Sequence, residues 1–148
     1  ATEVVKLIES DDEARALQCR LVLEPNLPAV FADRIMIEQV LVNFLRNARE
    51  AMQHLPVADR VVELRTSTAD ANHVLVEVAD QGSGVPPEIA AQLFSPFFST
   101  KDEGMGMGLN ICRSLIEYHE GNLTFRENSP VGTVFCFTLP FVEGNQLL

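Results

Sequence analysis

The most regular hydrophobic pattern in the chain lies between Asp33 and Pro56. Because an α-helix turns by about 100° per residue, apolar residues spaced three or four apart form one broad arc. The arc consists of Ile37, Val40, Leu41, Phe44, Leu45, Ala48, Ala51 and Met52. Asp33 is placed to cap the N-terminus, and no glycine or proline interrupts the segment before Pro56. The pattern predicts a long helix that ends near Leu55.

Shorter patterns predict the remaining elements. Runs rich in β-branched and aromatic residues predict strands at 19–24, 60–68, 73–80, 121–128 and 132–140. Apolar spacing predicts further helices over about 2–17, 88–93 and 107–120. In the last of these, His119 shares the apolar face, which favours a histidine at the edge of the core over a ligand. We therefore expect an α/β fold, a two-layer sandwich with helices on one face of a mixed, mostly antiparallel sheet.

Composition narrows the class of protein. A length of 148 residues suits one domain, and 47% hydrophobic with 22% charged residues is typical of a globular protein. No apolar run approaches the roughly 20 residues that cross a bilayer, and the first residues lack the layout of a signal peptide. We expect a cytoplasmic protein or the cytoplasmic part of a membrane-bound one. The three cysteines lie far apart in the sequence, which predicts buried, reduced thiols.

The formal net charge of −10 restricts the ligands to be considered. Such a surface disfavours nucleic acid, whose binding relies on Lys and Arg to displace counterions. An anionic small molecule stays compatible with this charge if a metal ion and local donors offset the field.

Two asparagines lie where the apolar arc of the long helix meets its polar side. Asn43 and Asn47 are four residues apart, so they stack on the same side. Asparagine is a mediocre helix former, and a side-chain carbonyl at this rim suits Mg²⁺, which takes few protein oxygens beside phosphate and water. The alternative interpretation is a polar boundary that binds nothing.

Two glycine-rich loops are also candidates for a ligand site. Asp80 ends a predicted strand, and Gly82 and Gly84 permit a turn and close backbone approach, so the carboxylate could accept a hydrogen bond from an exocyclic amine such as that of adenine. The sequence GMGMG at 104–108 precedes a helix whose N-terminus offers N–H groups to phosphate, with Lys101 just upstream. Taken singly, an ordinary turn and an ordinary helix-entry loop explain these features equally well.

The order of the features is more specific than any one of them. The chain presents NxxxNA on a helix, DxGxG after a strand, LFSPFFSTK, GMGMGL at the start of a helix, and finally GTVFCFTLP. Across nearly its whole length this resembles the ATP-binding catalytic domain of bacterial sensor histidine kinases, in the gyrase–Hsp90–histidine kinase–MutL superfamily. The five stretches are similar to the N, G1, F, G2 and G3 boxes of that family. The resemblance implies a Bergerat-type α/β sandwich that holds ATP.

The resemblance also implies roles for individual residues. Asn47 would ligate Mg²⁺, Asn43 would face the phosphates, and Asp80 would bind the adenine amino group. Lys101 would act with the two asparagines in catalysis. Further residues implied to contact or enclose the nucleotide are Gly82, Gly84, Gly104, Gly106, Gly108, Leu109, Gly132 and Thr133.

One position separates branches of the superfamily. In relatives that hydrolyse ATP, a water-activating glutamate typically stands four residues before the metal-binding asparagine, whereas this chain has Asn43 there. Glu38 lies about 140° away around the helix. The resemblance therefore favours transfer of the γ-phosphoryl group to a histidine of a dimerisation domain, in two-component signalling, over hydrolysis.

Other functions stay open at this point. They are a superfamily ATPase, an anti-sigma-type serine kinase, and a nucleotide-binding regulatory module without kinase activity. None of the three histidines, His54, His73 and His119, matches a phosphoacceptor sequence. We expect residues 1–148 to be the catalytic domain of a larger kinase, monomeric in isolation, which meets the response regulator only indirectly. The stretch GMGMGLNICRSLIEYHEG looks like kinases of the oxygen- and dicarboxylate-sensing kind.

Overall fold

A computed structural model of the chain describes residues 18–28, 30, 32–85 and 108–141. The elements in this part are β1 (Gln18–Leu23), α1 (Arg34–Ala51), a 3-10 helix (Val57–Asp59), β2 (Val61–Thr68), β3 (His73–Ala79), α2 (Leu109–Tyr118), β4 (Leu123–Glu127) and β5 (Thr133–Pro140). The helices predicted over 2–17 and 88–93 lie outside the described residues. Within the described ranges, no helix is long and apolar enough to cross a membrane.

The strands form one five-stranded sheet in the order β1-β2-β3-β5-β4. β1 runs parallel to β2, and the other neighbouring pairs are antiparallel, which confirms the predicted mixed, mostly antiparallel sheet. The last strand, β5, lies between β3 and β4. Ala79 at the end of β3 is therefore paired with Val134 at the start of β5. This adjacency brings together two loops that are far apart in the sequence.

Both described helices pack on the same face of the sheet. The predicted arc of α1 is its buried face, and Phe44 is fully buried. The ring centroid of Phe44 lies 5.4 Å from that of Phe135 and 6.0 Å from that of Phe137, both on β5. These contacts fix the rotation of α1 about its axis. The neighbouring residues Asn43 and Asn47 are thereby held at the rim of the core, on the side predicted from the sequence.

The sequence predicted the start of α1 correctly but not its end. The Asp33 carboxylate accepts a hydrogen bond from the Met36 N–H at 3.1 Å, which confirms the predicted cap. The helix ends at Ala51 and not near Leu55. The Arg60 guanidinium donates to the carbonyl oxygens of Gln53 and Leu55, each at 3.0 Å. A side chain from beyond Pro56 thus supports a turn in place of the last predicted helical turn.

His119 follows α2 and joins the two helices. The Asp33 N–H donates to Nε2 of His119 at 2.9 Å. Nε2 is therefore unprotonated, and Nδ1 carries the hydrogen that it donates to the Leu115 carbonyl at 2.7 Å. The C-terminal end of α2 is in this way attached to the N-terminal end of α1. His119 occupies the edge of the core, as the sequence predicted.

In the described residues, we assign no function to the cysteines or to the outer face of the sheet. Cys19, Cys112 and Cys136 are free, and burial raises the pKa of the Cys112 thiol to about 12. On the outer face, the buried Glu77 carboxylate lies 2.7 Å from Arg126 and 4.0 Å from Arg65. Arg65 lies closer to Glu63, at 2.6 Å, so two carboxylates and two guanidinium groups pair on this face.

Candidate functional site

Asn43 and Asn47 are bonded to each other on α1. The Asn47 amide nitrogen donates to Oδ1 of Asn43 at 3.1 Å. Asn43 is 5% exposed, whereas Asn47 is half-buried. Because the bond uses the amide nitrogen of Asn47, the carbonyl oxygen of that side chain is the atom that can serve as a ligand for a cation.

Asp80 follows the last residue of β3 and is 2% exposed. Its Oδ1 accepts hydrogen bonds from the N–H of Gly82 at 2.9 Å and from the N–H of Thr133 at 3.1 Å. Burial raises the pKa of the Asp80 carboxyl, and the two N–H donors act in the opposite direction. No residue in the described ranges donates to Oδ2. That oxygen is the one left to accept a hydrogen bond from a ligand.

Gly82 brings the Asp80 loop against the C-terminal end of α1. A Cβ atom on Gly82 would lie 2.6 Å from both Cβ and the carbonyl oxygen of Ala51. The next N–H, that of Ser83, donates to the same carbonyl at 3.3 Å. Ala51 is one helical turn beyond Asn47. The Asp80 loop and the asparagine pair consequently lie on adjoining parts of one surface.

Gly132 and Thr133 form the opposite side of the Asp80 loop. Gly132 has φ of +110°, and a Cβ atom there would lie 2.2 Å from the Asp80 carbonyl oxygen. Gly84 has φ of +79°, and a Cβ atom there would lie 3.7 Å from the Gly132 carbonyl oxygen. Only glycine permits this backbone geometry without strain. Gly82, Gly132 and Thr133 therefore contact Asp80, and Gly84 lies beside Gly132.

The N-terminus of α2 has a glycine as its cap. Gly108 makes no side-chain capping bond, and its carbonyl accepts from the N–H groups of Ile111 and Cys112 at 3.1 and 3.2 Å. Leu109, the first helical residue, packs against the core and fixes where the helix begins. The first N–H groups of a helix have no partner within the helix. This terminus is therefore suited to an anion.

The remaining predicted site residues, Lys101, Gly104 and Gly106, lie outside the described residues. Their assignment stays a prediction. Within the described part, no group of three or more His, Cys, Asp or Glu side chains could hold a metal ion. A cation at this site would need the asparagine carbonyl and oxygens from a ligand.

Sequence reasoning missed one polar residue of the site. Asn128, directly after β4, donates from Nδ2 to the Asp80 carbonyl oxygen at 2.7 Å. The available signal was only that of a turn residue ahead of Gly132. Because the contact spans 48 positions, local pattern could not connect the two residues.

The described residues supply three chemical functions. A buried carboxylate with one uncommitted oxygen can bind an N–H donor. A side-chain carbonyl can bind a hard cation, and a helix N-terminus can bind an anion. A nucleotide with its cation presents these three groups in that combination.

Comparison with known proteins agrees with this chemistry. The profile of the family described as "Histidine kinase-, DNA gyrase B-, and HSP90-like ATPase" matches residues 32–143. That range contains both α-helices and four of the five strands that the structure describes, and every residue predicted for the site.

The relatives are sensor kinases. The chain is 52% identical over 118 residues to the C4-dicarboxylate transport sensor protein DctS of Rhodobacter capsulatus, covering 80% of this chain and 18% of DctS. It is 45% identical over 130 residues to the sensor protein FixL of Bradyrhizobium diazoefficiens, covering 87% of this chain and 25% of FixL. The chain thus spans a quarter or less of the length of these relatives.

The solved structures give the same result. The catalytic domain of histidine kinase ThkA superposes with a TM-score of 0.77 at 32% identity, covering 95% of this chain and 89% of that one. ThkA has also been solved in complex with the response regulator TrrA. The fold is the Bergerat fold expected from the sequence. The chain therefore belongs to the family of histidine kinase-, DNA gyrase B- and HSP90-like ATPases, as an ATP-binding catalytic domain of the sensor histidine kinase type.

Proposed function

We propose that this chain binds Mg-ATP and transfers the γ-phosphoryl group to a histidine on a separate dimerisation domain. The observation that carries the proposal is the side chain four residues before Asn47. It is the amide of Asn43, bonded to Asn47, and an amide cannot accept a proton from water at neutral pH. The position that activates water in hydrolytic members of the superfamily therefore has no base.

The adenine end of the site is assigned to Asp80. Its Oδ1 is held by two backbone N–H groups, so Oδ2 accepts from the exocyclic amine of the base. Gly82, Gly84 and Gly132 keep the surrounding wall free of side chains. A low-polarity site of this kind discriminates strongly between a base that donates here and one that does not.

The residues present fit a magnesium ion bound through the nucleotide. Mg²⁺ commonly takes one or two protein oxygens and completes its shell with phosphate and water. Asn47 would supply Oδ1 while its amide nitrogen stays bonded to Asn43. When bound, the ion neutralises charge on the β- and γ-phosphates. Asn43 holds the ligating side chain in a single orientation.

The phosphate end is assigned to the start of α2 and to the loop before it. The helix begins at Leu109, and its N-cap residue, Gly108, makes no side-chain capping bond. Gly104, Gly106 and Gly108, by their lack of side chains, would permit close approach of phosphates, and Lys101 would supply a positive charge.

The chemical step is a displacement at the γ-phosphorus. The lone pair of an imidazole nitrogen on the acceptor domain forms the new N–P bond, and the bond to the β,γ-bridging oxygen breaks. ADP leaves with that electron pair, and the product is a phosphohistidine. The chain contributes positioning and charge neutralisation. Glu38 does not stand at the water-activating position, because it lies about 140° around the helix from Asn43, and its carboxylate pairs with Arg34 at 3.1 Å.

The partners follow from this chemistry. The chain would act beside a histidine-containing dimerisation domain of the same kinase, and the phosphoryl group would pass from that histidine to a response regulator. ThkA, which was solved with TrrA, supports this assignment. Because the reaction uses ATP, we place the domain in the cytoplasm, as part of a sensor kinase. The test is transfer of label from γ-labelled ATP to an acceptor domain, with acid-labile label as the expected product.

A further inference from the structure

Asn128 joins the β4–β5 turn to the residue assigned to adenine. Its Nδ2 donates to the Asp80 carbonyl oxygen at 2.7 Å, and the side chain is half-buried. Thr133 contacts Asp80 through backbone N–H and C=O groups, and Gly82 does so through its N–H. Among the described partners of Asp80, Asn128 is the one that uses its side chain.

The orientation of the Asn128 amide is determined by its neighbours. Oδ1 accepts from the Ser129 N–H at 3.0 Å, and the Asn128 N–H donates to the Gly132 carbonyl at 3.0 Å. A flipped amide would place NH₂ against an N–H donor and oxygen against the Asp80 carbonyl. Nδ2 is therefore the atom that faces Asp80.

The backbone of Asp80 is closely packed against Gly132. Its carbonyl oxygen is directly under Gly132, at 2.2 Å from the position of a Cβ atom on that glycine. Its N–H donates to the Thr133 carbonyl at 2.9 Å. The hydrogen bond from Asn128 means that both the N–H and the C=O of Asp80 have partners. The backbone that carries the Asp80 side chain is thereby fixed. Together with the two N–H groups that hold Oδ1, this backbone restricts the direction of Oδ2.

We propose that Asn128 is a positioning residue for nucleobase recognition, which acts by fixing the Asp80 backbone and through it the direction of Oδ2. The inference rests on the proposed role of Asp80 in binding the adenine amino group. It assigns to Asn128 a part in base selectivity through its contact with Asp80.

The test variant is Asn128→Asp. The substitution keeps the size and the Oδ1 acceptor but places a carboxylate oxygen against the Asp80 carbonyl. We expect the affinity for Mg-ADP in calorimetry to fall on the order of tenfold. Asn122→Asp is the matched control, because it makes the same change at an exposed asparagine just before β4. Asn128→Ala removes the donor without adding charge, and is used if Asn128→Asp does not fold.

The decisive measurement compares the affinities for two nucleotides that differ in the base. For purine riboside diphosphate, which lacks the 6-amino group, Asn128→Asp should bind as tightly as the parent chain. Equal losses for this analogue and for ADP would show general damage and overturn the proposal, as would an unchanged affinity for ADP. Asp80→Asn separates the two hypotheses. If Asp80→Asn leaves ADP binding intact, the proposed role of Asp80 fails. If Asp80→Asn weakens binding and Asn128→Asp does not, only the role of Asn128 fails.

Discussion

The N–H of Thr133 donates to Oδ1 of Asp80 at 3.1 Å, across 53 positions of sequence. The contact exists because β5 lies beside β3, so the start of one strand meets the end of the other. It leaves the second carboxylate oxygen for a ligand while it fixes the first. One strand pairing thereby determines which carboxylate oxygen of Asp80 is left for a ligand.

Asp80→Asn tests this assignment by exchanging an acceptor for a donor. The asparagine can keep its oxygen toward the two N–H groups, which places its NH₂ where Oδ2 was. Two donors then face each other, and the affinity for ADP should fall by roughly ten- to a hundredfold. Calorimetry with the parent chain and the variant measures the difference. Equal affinities would remove Asp80 from the site.

The same variant should be no less stable than the parent at neutral pH. Because burial raises the pKa of Asp80, folding favours its protonated form, and the stabilising contribution is present below the unfolded pKa of about 3.9 and lost as pH rises through the folded value. Asparagine does not ionise. The stability advantage of Asp80→Asn should be seen at pH 7 and shrink toward pH 4 in urea unfolding. An advantage that grows as pH falls would contradict the raised pKa.

Asn47→Ala tests the metal ligand. In the parent chain Mg²⁺ should strengthen ADP binding, since Asn47 would hold the ion that neutralises the phosphates. In the variant we expect the affinity in excess Mg²⁺ to fall at least about tenfold, close to its value in EDTA. Gln39→Ala, at an exposed amide on the same helix, should keep the Mg²⁺ dependence. Retention of the full Mg²⁺ effect in Asn47→Ala would place the ion elsewhere.

Asn43→Glu tests why hydrolysis is disfavoured. A carboxylate at this position can still accept from the Asn47 amide and can also take a proton from water. We expect phosphate release from ATP to rise by about tenfold or more, within the usual range for general-base catalysis. Asn43→Gln has the same length without a base and should show no rise. Equal rates in both variants would mean that the absence of a base here does not limit hydrolysis.

Gly132→Ala should destabilise the fold as well as the site. The new Cβ would clash with the Asp80 carbonyl at a φ of +110°, which we expect to lower the free energy of unfolding by about 2 kcal/mol or more. Gly108→Ala is the control. Among the described residues, its Cβ would meet only the Asn110 side-chain oxygen, at 2.8 Å, and that side chain can rotate away. Equal losses for both variants in urea unfolding would contradict the packing at Gly132.

Most of the described fold could be predicted from the local sequence pattern. The arc of α1, the Asp33 cap and the five strands follow from spacing and side-chain type, because these depend on neighbours within one or two turns. The end of α1 did not follow, because Arg60 from a later segment supports the turn after Ala51.

The candidate site could be predicted mainly from the order of its motifs along the chain. Asn43 and Asn47 also stand out as polar residues at the rim of an apolar arc, whereas Asp80 and the glycines, taken singly, fit ordinary loops as well. Asn128 and the contact of Gly82 with Ala51 depend on which strands and helices lie side by side. That placement results from the whole core and leaves no mark in the local sequence.

Transfer of label from γ-labelled ATP is the most direct test of the central claim. The chain would be incubated with labelled ATP, Mg²⁺ and its cognate histidine-containing dimerisation domain, with the acceptor histidine replaced in a control. We predict label on the acceptor domain that is stable to base and lost in acid, absent from the control, and little free phosphate from the chain alone. Free phosphate as the main product, with no label on the acceptor domain, would contradict the account.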